Sequence, residues 1–139
     1  YPSSEEEMEL LRRYQNAQPL ESIDSVLSTE QLAALQAMCR NVYVEDTVRQ
    51  YIADICRATR GNSDLRLGAS PRATLALQQA AQALAAIRGR NYVLPDDVKA
   101  LAVPVLAHRV LLDTGASVHG LNAIAVIEQT LAREPVPVD

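Results

Sequence analysis

Apolar residues recur every three to four positions along most of the chain, which is the pattern of amphipathic helices. The most regular stripe lies in residues 46–60, with an acidic residue at its start, arginines near its end and Gly61 directly after it. We expect this stripe to face the core; it consists of Val48, Tyr51, Ile52 and Ile55. The apolar residues Leu32, Leu35 and Met38 have a similar helical spacing in the segment of residues 29–42.

Capping patterns mark two helix starts in the first part of the chain. Ser3 with Glu6, and Ser28 with Gln31, have the capping-box spacing, in which side chains and backbone N–H groups bond reciprocally. Pro19 breaks the periodicity between these two starts. We therefore predict an N-terminal helix and connector over residues 1–20, and a helical domain over residues 21–139.

The longest predicted helix covers residues 70–88. Ser70 is a suitable N-cap, Pro71 fits the first helical position, and Gly89 ends the helix. The expected inner face consists of Leu77, Ala80, Ala81, Leu84 and Ile87. Its alanines would let a neighbouring helix or a ligand approach the backbone closely.

The last third is predicted to contain further helices. Pro95 starts one of them, with Val98, Leu101 and Ala102 on its core side. Pro104 interrupts or kinks this helix, and residues 105–112 could be helical, extended or both in turn. Polar loops are expected at residues 62–67 and 113–120, and residues 135–139 should form an extended tail. The last helix should bury Leu121, Ile124, Ile127 and Leu131.

Together these segments predict an all-α, bundle-like fold of five to six helices with at most short extended segments. The 139 residues suffice to bury a core without disulfides or metal, and this core lacks Phe and Trp. A net charge of −4 argues against binding to nucleic acid or to an anionic membrane surface. The chain has no run long enough to span a membrane, no signal peptide and no initiator Met, so we expect a cytoplasmic fragment of a longer protein.

Residue patterns typical of catalysis or metal binding are not convincing in this sequence. Cys39 and Cys56 fit no CxxC pattern, and we expect two reduced, partly buried thiols and no zinc site. His108 is expected to be structural. Asp96 and Asp97 point to different faces of a helix, and compensation of the helix dipole explains them sufficiently. The chain alone is not expected to turn over a substrate.

Arg72 has a position that local preference does not explain. It lies in the first turn of a helix, where the dipole disfavours a cation by about 0.3–1 kcal/mol. Either it pairs with an acidic residue of a neighbouring element or reaches into water, or it forms an anion site together with the helix terminus. The residues around Arg72 are compatible with both readings.

Three stretches, "LGASPRA", "GRNYVLPDDV" and "PVLAHRV", with "ATR" upstream, resemble in order and spacing the C-terminal lid domain of the MoxR family of AAA+ ATPases. The resemblance runs from about Tyr1 to the end of the chain. It implies that the family's N-terminal ATPase domain is absent from this chain and that the lid covers the nucleotide. Arg72 matches the sensor 2 arginine, Ser70 and Pro71 match the turn that aims it, and Gly68 matches the hinge before that turn.

The resemblance also implies cofactors and partners. The full-length protein is expected to hydrolyse ATP with Mg²⁺, while the fragment should hold neither tightly. Expected partners are its own ATPase domain, further copies in a ring, commonly a hexamer, and a protein with a von Willebrand factor A domain. Members of the family act as chaperone-like ATPases that assemble or mature other proteins, sometimes with metal insertion.

Several residues in the resembling stretches have no role that the resemblance fixes. Tyr51 and Ile52 either border the adenine or pack in the core. Arg60 and Arg90 match family positions, and helix termination and surface pairing suffice to explain them. His108 and Arg109 either order the joint between the last helices or face a neighbouring subunit.

Two other functions are open from the sequence. A stand-alone helical module could bind a partner helix through its alanine-rich face without any nucleotide role. A histone-like nucleic-acid binder is suggested by residues 92–112, but the acidic net charge argues against it.

Overall fold

The computed structural model describes residues 1–16, 23–118 and 120–137. Residues 17–22, His119 and the last two residues of the predicted tail lie outside these ranges. The end of the predicted N-terminal segment and the predicted domain boundary after residue 20 therefore also lie outside them. The chain divides into two units, residues 1–34 and residues 35–139. In the ranges described, no helix combines the length and the apolar character that crossing a membrane requires.

The described residues form seven α-helices and one two-stranded sheet, which confirms the predicted fold class. The helices are α1 (Ser4–Asn16), α2 (Thr29–Arg40), α3 (Asp46–Arg60), α4 (Pro71–Ile87), α5 (Pro95–Leu106), α6 (Thr114–Val118) and α7 (Ala123–Arg133). The strands are β1 (Leu65–Leu67) and β2 (Leu111–Leu112). The prediction of a loop at residues 113–120 was wrong, because the short helix α6 occupies most of it.

Both predicted capping boxes are present in the structure. The Ser3 N–H donates to Glu6 Oε2 at 2.7 Å, and the Glu6 N–H donates to Ser3 Oγ at 3.4 Å. At the second start, the Ser28 N–H donates to Gln31 Oε1 at 2.8 Å, and the Gln31 N–H donates to Ser28 Oγ at 3.2 Å. These bonds satisfy N–H groups that the first helical turn leaves unpaired.

The core of the second unit lies between α3, α4, α5 and α7. The predicted stripe of α3 is fully confirmed, since all four of its residues are buried. Helix α4 contributes mainly alanines; its buried residues are Ala73, Leu77, Ala81, Gln82 and Ala85. Helix α4 packs mainly against α5 and also against α3.

Two residues predicted to be in the core are exposed. Ile87 is 82% exposed, because the buried stripe of α4 recurs every four residues and Ile87, two residues after Ala85, lies on the opposite side of the helix. Ile124 is 49% exposed, because the buried residues of α7 are Val126, Ile127 and Thr130.

A polar loop was predicted at residues 62–67, and this prediction was wrong for its second half. Strand β1 pairs antiparallel with β2, with Leu65 opposite Leu112 and Leu67 opposite Leu111, and the register is irregular between the two pairs. A three-residue strand has too little pattern to be recognised locally, and its pairing partner lies far along the chain. Residues 105–112 adopt both predicted states in turn, since α5 runs through Pro104 to Leu106 and a 3₁₀ turn (Ala107–Arg109) precedes β2.

The side chain of Gln82 on α4 holds the segment that follows α2. Its Nε2 donates to the carbonyl oxygens of Arg40 at 3.1 Å and of Val42 at 2.8 Å. Beside this segment, Tyr43 pairs with the chain before α5: the Tyr43 N–H donates to Asn91 O at 2.8 Å and the Val93 N–H donates to Tyr43 O at 2.9 Å. The end of α2 is thereby fixed to the core by polar contacts.

Candidate functional site

The start of α4 has the local geometry that the sequence predicts. Ser70 is extended (φ −72°, ψ 165°), and its Oγ accepts a hydrogen bond from the Ala73 N–H at 3.4 Å. Its carbonyl oxygen accepts from the N–H groups of Ala73 at 2.9 Å and Thr74 at 3.3 Å. Pro71 has no N–H to offer. Since the first-turn N–H groups are largely used within the turn, the Arg72 side chain is the main hydrogen-bond donor at this end of α4.

Arg72 lies in an open groove of about 690 Å³ that contains four arginines and no acidic residue among its lining residues. The four are Arg60, Arg66, Arg72 and Arg109. Four guanidinium groups in one groove stand out on a chain of net charge −4. Such a concentration of one sign of charge favours an anionic ligand.

Arg66 and Arg109 were not predicted to lie near Arg72. Arg66 belongs to β1 at the irregular point of its pairing, and Arg109 belongs to the 3₁₀ turn after α5. The pairing of β1 with β2 joins these two distant parts of the sequence. Only the resemblance of "PVLAHRV" to the lid family drew attention to Arg109, and nothing in the sequence singled out Arg66.

Arg66 and Arg72 take part in none of the ion pairs that the described residues form. Both residues are exposed. Of the two open readings for Arg72, pairing with an acidic neighbour therefore does not occur within the described ranges. Arg72 is exposed and lines the groove, so its side chain is accessible from solvent.

The turn before α4 is held against the last turn of α3. The Ala69 N–H donates to Thr59 Oγ1 at 2.9 Å, and the Ala69 carbonyl accepts from Arg60 Nε at 2.7 Å. Thr59 Oγ1 in turn donates to Cys56 O at 2.7 Å. Gly68 packs so closely that a Cβ atom there would lie 2.6 Å from backbone atoms of Thr59 and Arg60.

Arg109 is held by its own turn. Its Nη1 donates to the Val105 carbonyl and contacts His108 Nε2. The pair therefore orders the end of α5, which agrees with one of the two roles left open from the sequence. Arg109 is also one of the residues that line the groove containing Arg72.

The remaining candidate residues are structural. Tyr51 and Ile52 are buried at 3% and 1% exposure, so core packing explains them. Burial raises the pKa of the Cys56 thiol, against smaller opposing effects of a hydrogen bond with Thr74 and the charge of Arg60, which makes it a poor nucleophile. Cys39 and Cys56 are both free thiols. In the ranges that the structure covers, no cluster of three or more His, Cys, Asp or Glu residues could hold a metal ion.

Asp97 is fully buried, and dipole compensation alone does not explain it. Its carboxylate accepts from Arg90 Nη2 at 2.7 Å and Nη1 at 2.8 Å, from Arg88 Nη1 at 2.8 Å, and from the Leu94 N–H at 2.9 Å. Burial would raise the pKa of Asp97, but the hydrogen bonds from Arg90 and Leu94 and the two arginine charges hold it below its ordinary value of 3.8. Arg90 therefore has a structural role that the sequence did not reveal.

Comparisons with known proteins identify relatives over this chain. Residues 57–130 match the family described as "AAA lid domain". The chain is 37% identical over 138 residues to the uncharacterized protein YeaC of Bacillus subtilis, covering 99% of this chain and 43% of that protein. It is 36% identical over 146 residues to "Chaperone MoxR1" of Mycobacterium tuberculosis, covering 99% of this chain and 38% of that protein.

A solved structure has the same fold. A crystal structure of a protein from Cytophaga hutchinsonii, assigned as an ATPase, superimposes with a TM-score of 0.85 at 26% sequence identity. The match covers 99% of this chain and 44% of that one. The chain thus spans less than half the length of the relatives it matches.

Proposed function

Since the chain belongs to the AAA lid domain family and is the lid domain of a MoxR-type AAA+ ATPase, we propose that it closes over ATP bound to an ATPase domain in the full-length protein. Arg72 senses the phosphates in this proposal, and Ser70, Pro71 and Gly68 shape the turn that presents it. The observation that carries the proposal is the exposed Arg72 in an acid-free groove of four arginines.

The residues of the groove fit a triphosphate. A guanidinium offers several N–H donors in a planar fork that matches phosphate oxygens, and it stays charged at any pH at which the protein is folded. The N–H groups of Ala73 and Thr74 are bonded to Ser70, so they do not compete with the Arg72 side chain for the ligand. Arg66 and Arg109 add positive charge without an acidic lining residue to offset it.

Arg72 would bind oxygens of the terminal phosphate and thereby hold the lid closed. A hydrogen bond to a charged group is worth about 1.5–3 kcal/mol, or roughly a factor of 10 to 100 in affinity or rate. Loss of the terminal phosphate on hydrolysis removes these oxygens, so the lid is released. In this proposal the lid is closed when ATP is bound and released after hydrolysis.

The wider function follows the family. We assign the Mg²⁺ ligands and most other phosphate contacts to the ATPase domain of the full-length protein. The working state in this proposal is a ring, commonly a hexamer. It has a protein with a von Willebrand factor A domain as its partner and assembles or matures other proteins as a chaperone-like ATPase. One relative is itself named a chaperone.

The test compares wild type with Arg72→Ala in the full-length protein, by ATP affinity and ATP turnover. We expect turnover to fall at least about tenfold while circular dichroism shows an unchanged helical content. Arg133→Ala, an exposed arginine near the end of α7 and outside the groove, is the matched control and should leave turnover unchanged. Unchanged affinity and turnover in Arg72→Ala would refute the nucleotide role and favour a helical interaction module instead.

A further inference from the structure

Thr59 connects the buried end of α3 to the turn that precedes Arg72. It is fully buried, and its hydroxyl makes two hydrogen bonds, donating to Cys56 O at 2.7 Å and accepting from the Ala69 N–H at 2.9 Å. Ala69 is also fully buried, so no water can replace the hydroxyl as the partner of its N–H group. The hydroxyl is therefore the acceptor that fixes Ala69 in place.

Ala69 is the last residue before the N-cap of α4, and Arg72 follows three positions later. Its carbonyl is held by Arg60 Nε, so both backbone polar groups of Ala69 are bonded to consecutive residues of α3. The close packing of Gly68 on the same backbone adds a third contact to this attachment. A shift of this turn would move the start of α4 and the Arg72 side chain with it.

We propose that Thr59 is a positioning residue for Arg72: its hydroxyl sets the direction in which α4 begins, and hence where the Arg72 guanidinium meets the phosphates. This inference rests on the proposed function of Arg72. Thr59 itself does not touch the nucleotide, since its side chain is buried under the turn. Displacing a bound group by about 1 Å commonly costs a large factor in rate, so the loss of one hydroxyl should be measurable.

The test is a double-mutant cycle in the full-length protein, with ATP turnover and the ratio of ATP to ADP affinity as readouts. Thr59→Val keeps the shape of the side chain and removes the hydroxyl, while Thr59→Ser keeps the hydroxyl. We expect Thr59→Val to lower turnover by at least about fivefold and to reduce the preference for ATP, and Thr59→Ser to retain both. In the Arg72→Ala background, Thr59→Val should have no further effect on either readout.

Thr130→Val is the matched control for losing a buried hydroxyl. Thr130 is buried, and its Oγ1 donates only to Val126 O within its own helix. Its replacement should leave turnover unchanged. Should Thr59→Val fold poorly, Arg60→Ala provides a second test. It removes a groove charge as well as the bond to the Ala69 carbonyl, so it is compared with Arg66→Ala, which removes a groove charge without that bond. Arg60→Ala should lower turnover further than Arg66→Ala does, and only when Arg72 is present.

Each outcome has a distinct meaning. If Arg72→Ala impairs turnover, Thr59→Val leaves it unchanged and Arg60→Ala lowers it no more than Arg66→Ala does, the positioning role is wrong and the nucleotide role stands. An equal loss from Thr59→Val with and without Arg72 would show a general structural effect and would also overturn the proposal. If Arg72→Ala has no effect, the proposed function fails, and the positioning role fails with it.

Discussion

Gly68 and Gly61 lie on either side of the loop between α3 and the start of α4, and their surroundings differ. A Cβ atom at Gly68 would lie 2.6 Å from three backbone atoms, whereas at Gly61 the nearest atom is Ala58 O at 3.9 Å. Gly61 also has an ordinary backbone conformation, with φ −92°. The two glycines thus form a natural pair for testing how tightly the turn before Arg72 must pack.

We expect Gly68→Ala to lower the free energy of unfolding by about 1–3 kcal/mol, because the backbone of α3 must shift to admit the methyl group. Gly61→Ala should change it by less than about 0.5 kcal/mol. Urea unfolding of the two variants, followed by circular dichroism, measures both values. Equal stability of the two variants would show that the contact between Gly68 and α3 relaxes without cost.

Single residues were predictable from the sequence where local rules determine them. Ser70 as an N-cap and Pro71 at the first helical position follow from the chemistry of helix termini, and both have that geometry. Arg72 attracted attention because it opposes the helix dipole. Thr59 and Arg66 were not found, because their roles depend on contacts with residues that only the folded chain brings near them.

Helix α4 holds the end of α2 through one side chain, Gln82. Its amide donates to two carbonyl groups just at and after the last residue of α2. The Arg40 carbonyl has no partner within the helix, because a helix leaves its last four C=O groups unsatisfied, and the Val42 carbonyl lies just beyond the helix. The buried amide of Gln82 therefore serves as a cap supplied by a different element.

Replacing Gln82 by Met should remove this cap while keeping an unbranched side chain of similar length. We expect a loss of about 1–3 kcal/mol in the free energy of unfolding, because carbonyl groups are left with fewer partners in a buried environment. Gln79→Met, on the exposed side of the same helix, is the control and should change it by less than about 0.5 kcal/mol. Chemical denaturation measures both, and an equally small effect of the two variants would mean that water satisfies the freed carbonyls.

At the level of elements, periodicity located the long helices well. The start of α5 at Pro95 and the buried face of α3 are as predicted. Periodicity predicted the buried face less accurately in α4, where that face is narrow. Most residues of this helix are apolar, so the pattern of apolar and polar positions did not show that Ile87 lies outside the buried face. The strands β1 and β2 were missed as a pair, because each is too short to have a pattern and they gain stability only from one another.

The buried carboxylate of Asp97 makes the stability of the whole molecule depend on pH. Its pKa is lowered in the folded protein, so on acidification the unfolded chain takes up the proton first. The stability that this group contributes is therefore complete above the ordinary value of 3.8 and is lost as the pH falls from there through the folded pKa. At neutral pH the full contribution is present.

We expect Asp97→Asn to lower the free energy of unfolding by about 2–4 kcal/mol at pH 7, since it leaves Arg90 without its charged partner. The difference from wild type should narrow as the pH falls below about 4. Asp96→Asn is the neighbouring control; its side chain is 82% exposed and pairs loosely with Lys99, so little change is expected. Urea unfolding at several pH values gives the comparison, and a difference that does not change with pH would contradict the assigned ion cluster.

The fold class of the whole molecule was predicted correctly because it depends on many weak signals that agree, including helix spacing, caps and short connections. The arginine groove was not predicted as a unit. It is assembled by the pairing of β1 with β2, which brings residues from three separate segments together. The motif resemblance assigned a nucleotide role to one arginine of the groove, Arg72, which stays a prediction, and it fixed no role for the other three.

The alanine face of α4 affects how this domain can change over evolutionary time. A contact built from Ala73, Ala81 and Ala85 has almost no side-chain volume to lose, so truncation opens only small cavities. Enlargement is different, because any added methylene group must push the packed helices apart. Substitution along this face is therefore limited mainly by size, because a residue larger than alanine is excluded more strongly than a smaller one.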